Sequence, residues 1–365
     1  MKKYLILQIL VSLLLATYSL AGPTAKPTFL SDIRCLAMGG TGVASARGSF
    51  GYIYNPALLT REKFTLTLPG VQCELGKDFF DIINYATDNR DKFKKLDKDS
   101  VNVTQEEKDQ ILHELKMDAA QFDNIWYKAS LIPYLGMVVG NIGISMYNIT
   151  YFAAKLDVGI IAPKVKFYAL NDLVFSCGYG HQVNESLALG IGAKLIRRFE
   201  SSVFKLQVEE ASGMKEALRE GIDEMEKGKN GYGIDIGALY NLNQRLDLAV
   251  VAQDLLGEIG GINTPMNIKL GLVYQLNRLV LAADLEDLFN RDGDKFINKV
   301  YLGGEYALPI ISLRFGFSQG YPAVGIGLNF WILDLAYTYY TKEITDSPGL
   351  RGENYHLFGL RMGWQ

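Results

Sequence analysis

The residues of this sequence that could do chemistry are charges set at alternate positions of otherwise apolar segments. In the stretch 311–331, Arg314 shares one face with small and polar residues, whereas Leu313 and Phe315 lie on the opposite face. A side-chain period of two is typical of β-strands, so the pattern assigns each such charge to one face of a sheet. The charges on the small, polar face of their own segments are Lys194, Asp235, Lys269, Asp284, Glu305, Asp334 and Arg361.

Two chemical roles are open for these charges. They can pair with one another and fill an enclosed space, or they can contact a bound molecule. Pairing is the simpler interpretation, because buried charges in proteins are usually paired. If the space holds a ligand, the candidate contact residues are Lys194, Lys269, Glu305, Arg314 and Arg361.

Catalytic, metal and cofactor motifs are not recognisable in the sequence. His113, His181 and His356 share no metal-ligand spacing, and no G-x-S-x-G sequence is present. The glycine-rich run 39–42 is not followed by Gly-Lys-Ser/Thr, so it does not match a phosphate-binding loop. A net charge of −3 is nearly balanced and argues against a nucleic-acid partner. We therefore expect no enzyme activity, no cofactor and no metal site.

Residues 1–21 have the parts of a secretory signal peptide. Lys2 and Lys3 precede an apolar run, and the triplet at 19–21, Ser-Leu-Ala, offers a small-x-small cleavage site. An uncleaved membrane anchor is the alternative. Beyond residue 21 no run of about 18 apolar residues occurs, so no transmembrane helix is expected.

The composition and pattern of the remaining chain favour a β-barrel in a membrane. The chain is 48% hydrophobic and contains 21 Tyr and 37 Gly, which suit the aromatic girdles and the crowded interior of such a barrel. A membrane barrel turns its apolar face outward to lipid and its polar face to the lumen, whereas a soluble sandwich buries the apolar face. Tight junctions on one side of the strands and long charged inserts on the other favour the barrel.

The alternation predicts an all-β fold, a 14-stranded antiparallel transmembrane β-barrel. An even number of strands places both ends of the barrel on one rim, which in outer-membrane proteins is the periplasmic rim. The predicted strands are 63–72, 126–139, 142–155, 172–183, 186–200, 231–242, 246–256, 266–276, 279–289, 297–308, 311–319, 322–331, 332–344 and 355–365.

Two inserts interrupt the alternation and are predicted to be helical extracellular loops, near 77–124 and 207–229. The first contains a capping box from Thr104 to Glu107 that opens a helix ending near Met117. The second carries one apolar stripe at helical spacing. The residues of this stripe are Met214, Leu218, Ile222 and Met225.

Residues 22–62 are predicted to form a plug inside the barrel formed by residues 63–365. The segment 35–59 is rich in Gly, Ala and Ser and nearly uncharged, and a barrel of about 14 strands would leak unless its lumen were blocked. A disordered tail is the alternative for this segment. Cys35, Cys73 and Cys177 are too few for a disulfide framework, although a single bridge between Cys35 and Cys73 stays open.

Two motifs resemble the FadL family of outer-membrane transporters of hydrophobic compounds. Residues 37–44, Ala-Met-Gly-Gly-Thr-Gly-Val-Ala, followed by Asn-Pro-Ala at 55–57, are similar to the N-terminal hatch of that family. The hairpin at 319–328 is also similar to FadL-like and PorV-like barrels. The resemblance implies a gate formed by Met38, Gly39, Gly40, Gly42, Asn55, Pro56 and Ala57.

The same resemblance implies a function and a location. We expect passive uptake of hydrophobic molecules, such as long-chain fatty acids or lipids, across the outer membrane of a Gram-negative-type cell envelope. The helical loops of the family offer a hydrophobic docking groove, to which the stripe at 214–225 would contribute. The alternative is a non-transporting barrel that serves a secretion or conjugation machine, as in PorV-like or TraF-like proteins, and the large insert 77–124 favours it.

Overall fold

The computed structural model describes residues 28–95, 104–122, 125–157, 164–200, 204–207, 227–290, 295–343 and 349–364. The predicted signal peptide, residues 22–27 of the predicted plug and the stripe at 214–225 lie outside these residues. Among the helices of the described residues, none has the length and apolar character needed to cross a membrane.

The described strands form one antiparallel sheet that closes on itself, so the predicted fold class is confirmed. Closure comes from the pairing of β1 with β16 and of β8 with β10. Fourteen strands form the wall, and the short β6 and β9 only extend it at one rim. The strands are β1 Phe64–Gly76, β2 Trp126–Val139, β3 Ile142–Asp157, β4 Lys164–Gln182, β5 Leu187–Glu200, β6 Phe204–Gln207, β7 Lys229–Asn241, β8 Leu246–Ile259, β9 Ile262–Asn263, β10 Asn267–Leu276, β11 Leu279–Leu285, β12 Val300–Ala307, β13 Ile311–Ser318, β14 Tyr321–Phe330, β15 Leu333–Glu343 and β16 Gly352–Trp364.

The two faces of each strand differ in exposure, as the alternation predicts. On β13, Leu313 and Phe315 are 48% and 52% exposed on the outer surface, whereas Ser312 is 4% exposed on the inner surface. On β16, Phe358 and Leu360 are likewise exposed outward. An apolar outer surface on strands of this length fits the hydrocarbon core of a membrane, which tilted strands of about 9–11 residues can span.

The two rims of the barrel differ in the length of their connections. One rim, here the short-turn rim, carries the connections 140–141, 183–186, 242–245, 277–278, 308–310 and 331–332. Both ends of the wall also lie there, because Trp364 pairs with Leu66 near the start of β1. The opposite, long-loop rim carries the insert after β1 and most of the other long connections, with the two-residue turn 319–320 as a short exception.

Several predicted strand ends differ from the structure, among them the end of β1, which continues to Gly76 rather than stopping near 72. The predicted strands at 279–289 and 297–308 are too long, because β11 ends at Leu285 and the 3₁₀ helix Phe296–Lys299 precedes β12. The helix begins with two adjacent apolar residues, Phe296 and Ile297, so apolar character begins before β12 and composition alone does not mark the boundary. β4 begins at Lys164 rather than near 172, because residues 164–171 continue the pairing with residues 150–157 of β3.

The insert after β1 is helical, as predicted. Thr104 caps the longest of its helices, and its Oγ1 accepts a hydrogen bond from the Glu107 N–H at 3.2 Å. The helices of the chain outside the wall are α1 Ile33–Ala37, α2 Gly51–Tyr54, α3 Asp78–Asp88, α4 Arg90–Lys95 and α5 Gln105–Ala119, with 3₁₀ helices at Gly48–Phe50, Pro56–Arg61, Ala120–Phe122 and Phe296–Lys299.

Candidate functional site: the plugged lumen

Residues 28–62 lie inside the barrel, and we call this segment the plug. Its apolar side chains pack on the inner faces of strands on opposite sides of the wall. Met38 belongs to a buried cluster with Val251 and Val280 of β8 and β11. Leu59 belongs to another with Val174 of β4. The plug therefore spans the lumen from one side to the other.

Gly39 and Gly40 let the plug lie directly against the wall. Their φ angles are +68° and +94°, a region that side chains disfavour. A Cβ on Gly39 would stand 2.5 Å from the carbonyl oxygen of Leu302 and 2.6 Å from the amide nitrogen of Phe317. From the other side, a Cβ on Gly316 would overlap the backbone of Gly39. Facing glycines thus bring the plug into backbone contact with β12 and β13.

Asn55 joins two parts of the plug to the wall. Its side chain is fully buried, and Nδ2 donates to the carbonyl oxygens of Val43 at 3.1 Å and of Ala238 in β7 at 3.2 Å. Its Oδ1 accepts from the Ala57 N–H at 3.0 Å and so caps the 3₁₀ helix that follows. Pro56 occupies the first position of this helix, where a missing N–H costs no hydrogen bond.

Glu305 connects the plug to the wall through two guanidinium groups. Arg34 of α1 donates from Nε and Nη2 to the two carboxylate oxygens at 2.8 and 2.9 Å. Arg314, the cross-strand neighbour of Glu305 on β13, donates from Nε at 2.7 Å. The carboxylate side chain is only 4% exposed. One buried carboxylate therefore serves two arginines, one from the plug and one from the wall.

Asp284 holds a second part of the plug. Its Oδ2 accepts from the backbone N–H groups of Gly42 at 2.6 Å and Val43 at 2.9 Å. A Cβ on Gly42 would overlap the ring of Tyr54, so the turn requires glycine at this position. The motif at 37–44 is thus fixed at both ends, by glycine contacts with β12–β13 and by a carboxylate of β11.

The remaining charged lumen candidates also lie on the inner face beside acidic residues. Each cation is close enough for an ion pair, as the simpler interpretation of the sequence expects. The pairs are Lys194 with Asp254 at 2.7 Å and Asp235 at 3.8 Å, Lys269 with Glu286 at 2.8 Å, and Arg361 with Asp334 at 2.6 Å.

Sequence reasoning missed several polar contacts between plug and wall. Thr28 lies within hydrogen-bond distance of both Asp172 and Arg198, which themselves form a buried ion pair at 2.6 Å. The Tyr52 hydroxyl lies 2.7 Å from the Ser145 hydroxyl of β3. The alternation marks the wall residues as inward-facing, but no signal in the sequence pairs them with the plug.

The cysteine bridge that the sequence left open does not form. Cys35 is buried in the plug, whereas Cys73 is part of the outer face of β1, and both are free. Burial, together with the negative charge of Asp32, raises the pKa of the Cys35 thiol above its ordinary value. The thiol therefore stays protonated inside the barrel.

A cleft on the long-loop rim is lined by acidic rather than apolar residues. It has a volume of about 470 Å³ and lies between α3 and the end of the insert. Its lining includes Asp78, Asp81, Asp88 and Asp118, together with the ring of Tyr85. The predicted hydrophobic groove at 214–225 lies outside the described residues, and this cleft is a separate feature.

A cavity of about 310 Å³ lies under the plug at the short-turn rim, and we call it the vestibule. Its walls come from the plug and from the inner faces of β12 to β16, with Tyr134 of β2. Four guanidinium groups and three carboxylates line it. These are Arg34, Arg47, Arg314 and Arg361, with Asp32, Glu305 and Asp334.

Solved structures share the fold of this chain. The deltaS2S3 mutant of the TodX monoaromatic hydrocarbon channel has a TM-score of 0.53 at 14% identity and covers 91% of this chain and 97% of its own. A FadL homologue of Pseudomonas aeruginosa has a TM-score of 0.51 at 11% identity, with 94% and 99% covered. No family model and no curated protein matches the sequence. The resemblance to FadL-type proteins is thus confirmed at the level of the fold.

Proposed function

We propose that this protein is an outer-membrane channel that admits hydrophobic molecules passively and that the plug is its gate. The observation that carries the proposal is a lumen filled by a glycine-rich segment that is held by a few buried polar contacts. A filled lumen prevents the free passage of ions and solutes. The short-turn rim then faces the periplasm and the long-loop rim faces the outside, as in outer-membrane barrels generally.

The contacts of the plug support a gate rather than a permanent filling. Apolar packing alone is non-directional and tolerates sliding, whereas hydrogen bonds fix the position of the plug at several places, among them Glu305, Asp284 and Asn55. Each is a discrete contact that can break and re-form. Gating by rearrangement of residues 38–57 therefore requires the loss of identifiable bonds to the wall, which include those to Asp284, Ala238, Ser145 and Gln253.

The substrate class is proposed as small or long-chain hydrophobic compounds. One similar solved structure is a monoaromatic hydrocarbon channel, and this substrate is a property of that protein alone. Long-chain fatty acids and lipids are the finer proposal for this chain, which the resemblance of the 37–44 and 55–57 motifs supports. The buried basic residues of the lumen are compatible with an acidic head group.

Uptake by cells tests the proposal directly. The protein is expressed in a Gram-negative host that lacks its own channel for hydrophobic compounds, and the uptake of labelled toluene and labelled oleate is measured. We expect both rates to exceed that of the host alone. Expression of the variant Asn55→Ala should change the rates while surface amounts remain equal.

The alternative function gives the opposite result in the same assay. A barrel that serves a secretion or conjugation machine would leave both uptake rates at the level of the host. The large insert with its acidic cleft is the feature that would then be assigned to a protein partner. Equal rates with and without the protein would therefore exclude the channel.

A further inference from the structure

The acidic cleft of the insert lies on the outer side of the barrel wall. Its lining includes Tyr127, which precedes Leu131 and Leu135 on β2 by four and eight residues and therefore lies on the same, outward face. Tyr127 is nevertheless only 3% exposed, because α3 packs on β2 and Phe122 contacts its ring. The wall thus separates this cleft from the plug and the lumen.

The hydroxyl of Tyr127 has no hydrogen-bond partner among the described residues. Its oxygen is shielded from solvent and lies within electrostatic reach of the carboxylates of Asp78 and Asp81. A buried hydroxyl without a partner is unfavourable, and native structures keep few of them. Its position in the lining of a cleft indicates a polar contact that a bound molecule would complete.

Three carboxylates of the cleft form no ion pair within the described part of the chain. Asp78, Asp81 and Asp88 are spaced by three and seven residues, which places them on one face of α3. A fourth carboxylate, that of Asp118, lies 3.7 Å from the Lys92 ammonium. Burial, together with the negative charge of Asp81, raises the pKa of Asp78 above its ordinary value. An added cation would relieve this repulsion.

The lining of the cleft suits an organic cation better than a metal ion. Among the described residues, no three His, Cys, Asp or Glu side chains are arranged to hold a metal. The cleft instead contains aromatic rings, with the centroid of Phe122 lying 5.0 Å from that of Tyr85 and 6.4 Å from that of Tyr127. An ammonium group donates to carboxylate and hydroxyl oxygens, and aromatic rings attract cations and cover apolar carbon.

We propose that this cleft binds a small organic amine, with its ammonium group at Asp78, Asp81 and Tyr127 and its apolar part on the rings of Tyr85 and Phe122. The volume of about 470 Å³ is in the range of small-molecule sites. The inference goes beyond the proposed channel function, because none of these residues belongs to the plug or faces the lumen.

Calorimetric titration of the purified full-length protein in a neutral detergent tests the site. The probes are 2-phenylethylamine, its neutral analogue 2-phenylethanol, and Nα-acetyl-lysine amide. We expect 2-phenylethylamine to bind, and Asp81→Asn and Tyr127→Phe each to weaken its binding about tenfold, the loss expected for one charge-assisted hydrogen bond. Two matched controls should leave the affinity unchanged. They are Glu106→Gln, exposed on the same insert, and Tyr179→Phe, on the outer face of β4.

Tyr127→Phe also distinguishes a binding role from a structural one. Because the hydroxyl has no partner, its removal should leave the thermal stability of the amine-free protein equal or higher. The rise in melting temperature that the amine produces should be smaller in this variant than in the wild type. A lower melting temperature of the amine-free variant would assign the hydroxyl to folding and contradict the binding role.

Four results of the titration would overturn the inference. The first is no binding of 2-phenylethylamine. The second is 2-phenylethanol binding as tightly as the amine, which would mean that the charge is not recognised. The third is equal amine affinity in the wild type, Asp81→Asn and Tyr127→Phe. The fourth is tighter binding of Nα-acetyl-lysine amide, which would assign the cleft to a basic segment of a partner protein. The uptake of toluene and oleate does not depend on this cleft, so each of these results leaves the channel function intact.

Discussion

Glu305 accepts N–H groups from two arginines that belong to different parts of the chain. Arg34 is in the plug and Arg314 is in the wall, so one carboxylate fixes the position of the plug relative to β12 and β13. Removing one partner of a buried ion pair is strongly destabilising because it leaves an uncompensated charge. Here two guanidinium groups would be left facing each other.

Glu305→Gln should therefore loosen the plug while the barrel stays closed. The loss of the buried charge removes about 3 kcal/mol of interaction between plug and wall. We expect a higher ion conductance in planar bilayers than for the wild type. Glu185→Gln, at an exposed turn of the short-turn rim, is the matched control and should conduct like the wild type. Equal conductance of all three proteins would mean that Glu305 does not hold the plug.

Cys35 reports on the plug through its reactivity. Burial raises the pKa of its thiol, so the folded state keeps the proton that a free thiol begins to lose at pH about 8.5. In a chain with Cys73→Ala and Cys177→Ala, a water-soluble maleimide should react with Cys35 far more slowly than with glutathione at this pH. Because the unfolded chain binds fewer protons at high pH, this thiol also makes stability fall as pH rises above that value.

The same reagent distinguishes a seated plug from a displaced one. In the Glu305→Gln background, Cys35 should become reactive, because the plug no longer excludes water from it. Rapid labelling of Cys35 in the otherwise unchanged chain would show that the plug is not packed as described.

At the scale of the strand, the depth of a side chain in the membrane decides the cost of a charge. Phe315 is on the outer face in the middle of β13, whereas Ile311 is on the same face at the short-turn rim. Phe315→Arg should lower the free energy of unfolding in lipid vesicles by about 2–4 kcal/mol, and Ile311→Arg by about 0–1 kcal/mol. Denaturant titration followed by tryptophan fluorescence measures both. Equal losses at the two positions would mean that β13 does not cross the bilayer.

The strands could be predicted closely because their alternation is a local property. β2 occupies residues 126–139 as predicted, and the cap at Thr104 was visible from its own four residues. The prediction failed at the 3₁₀ helix Phe296–Lys299, whose apolar Ile297 begins the predicted strand, since residue type does not report the backbone hydrogen bonds. The local pattern thus predicts the presence of an element better than it predicts the residues at which the element ends.

The contacts of the plug could not be read from the sequence in the same way. Gly190 and Gly237 are lumen-facing by their pattern, yet only the fold shows that Pro56 and Asn55 occupy the space that their missing side chains leave. Arg47 was overlooked because the segment around it is nearly uncharged. The contacts of Pro56 and Asn55 and the position of Arg47 depend on which strands lie next to the plug. That arrangement is determined by strand pairing around the closed barrel, which a local sequence pattern does not show.

At the scale of the whole molecule, the structure consists of a barrel wall, whose lumen would be open by itself, and the plug, which fills that lumen. Closed barrels larger than about eight strands are too wide for their own side chains to fill, so a fourteen-stranded wall needs additional material in its lumen. The plug supplies it, and its apolar side chains reach strands on opposite sides. The central claim is therefore that the plug separates the two rims, with residues 35–57 as its main part.

Deletion of residues 35–57 tests this claim most directly. The shortened barrel is refolded, its closure is verified by circular dichroism, and single-channel currents are recorded in a planar bilayer beside the intact protein. We predict that the intact protein is nearly silent and that the shortened barrel conducts ions steadily. A shortened barrel that is folded but conducts no more than the intact protein would contradict the account, because the lumen would then be blocked by something other than the plug.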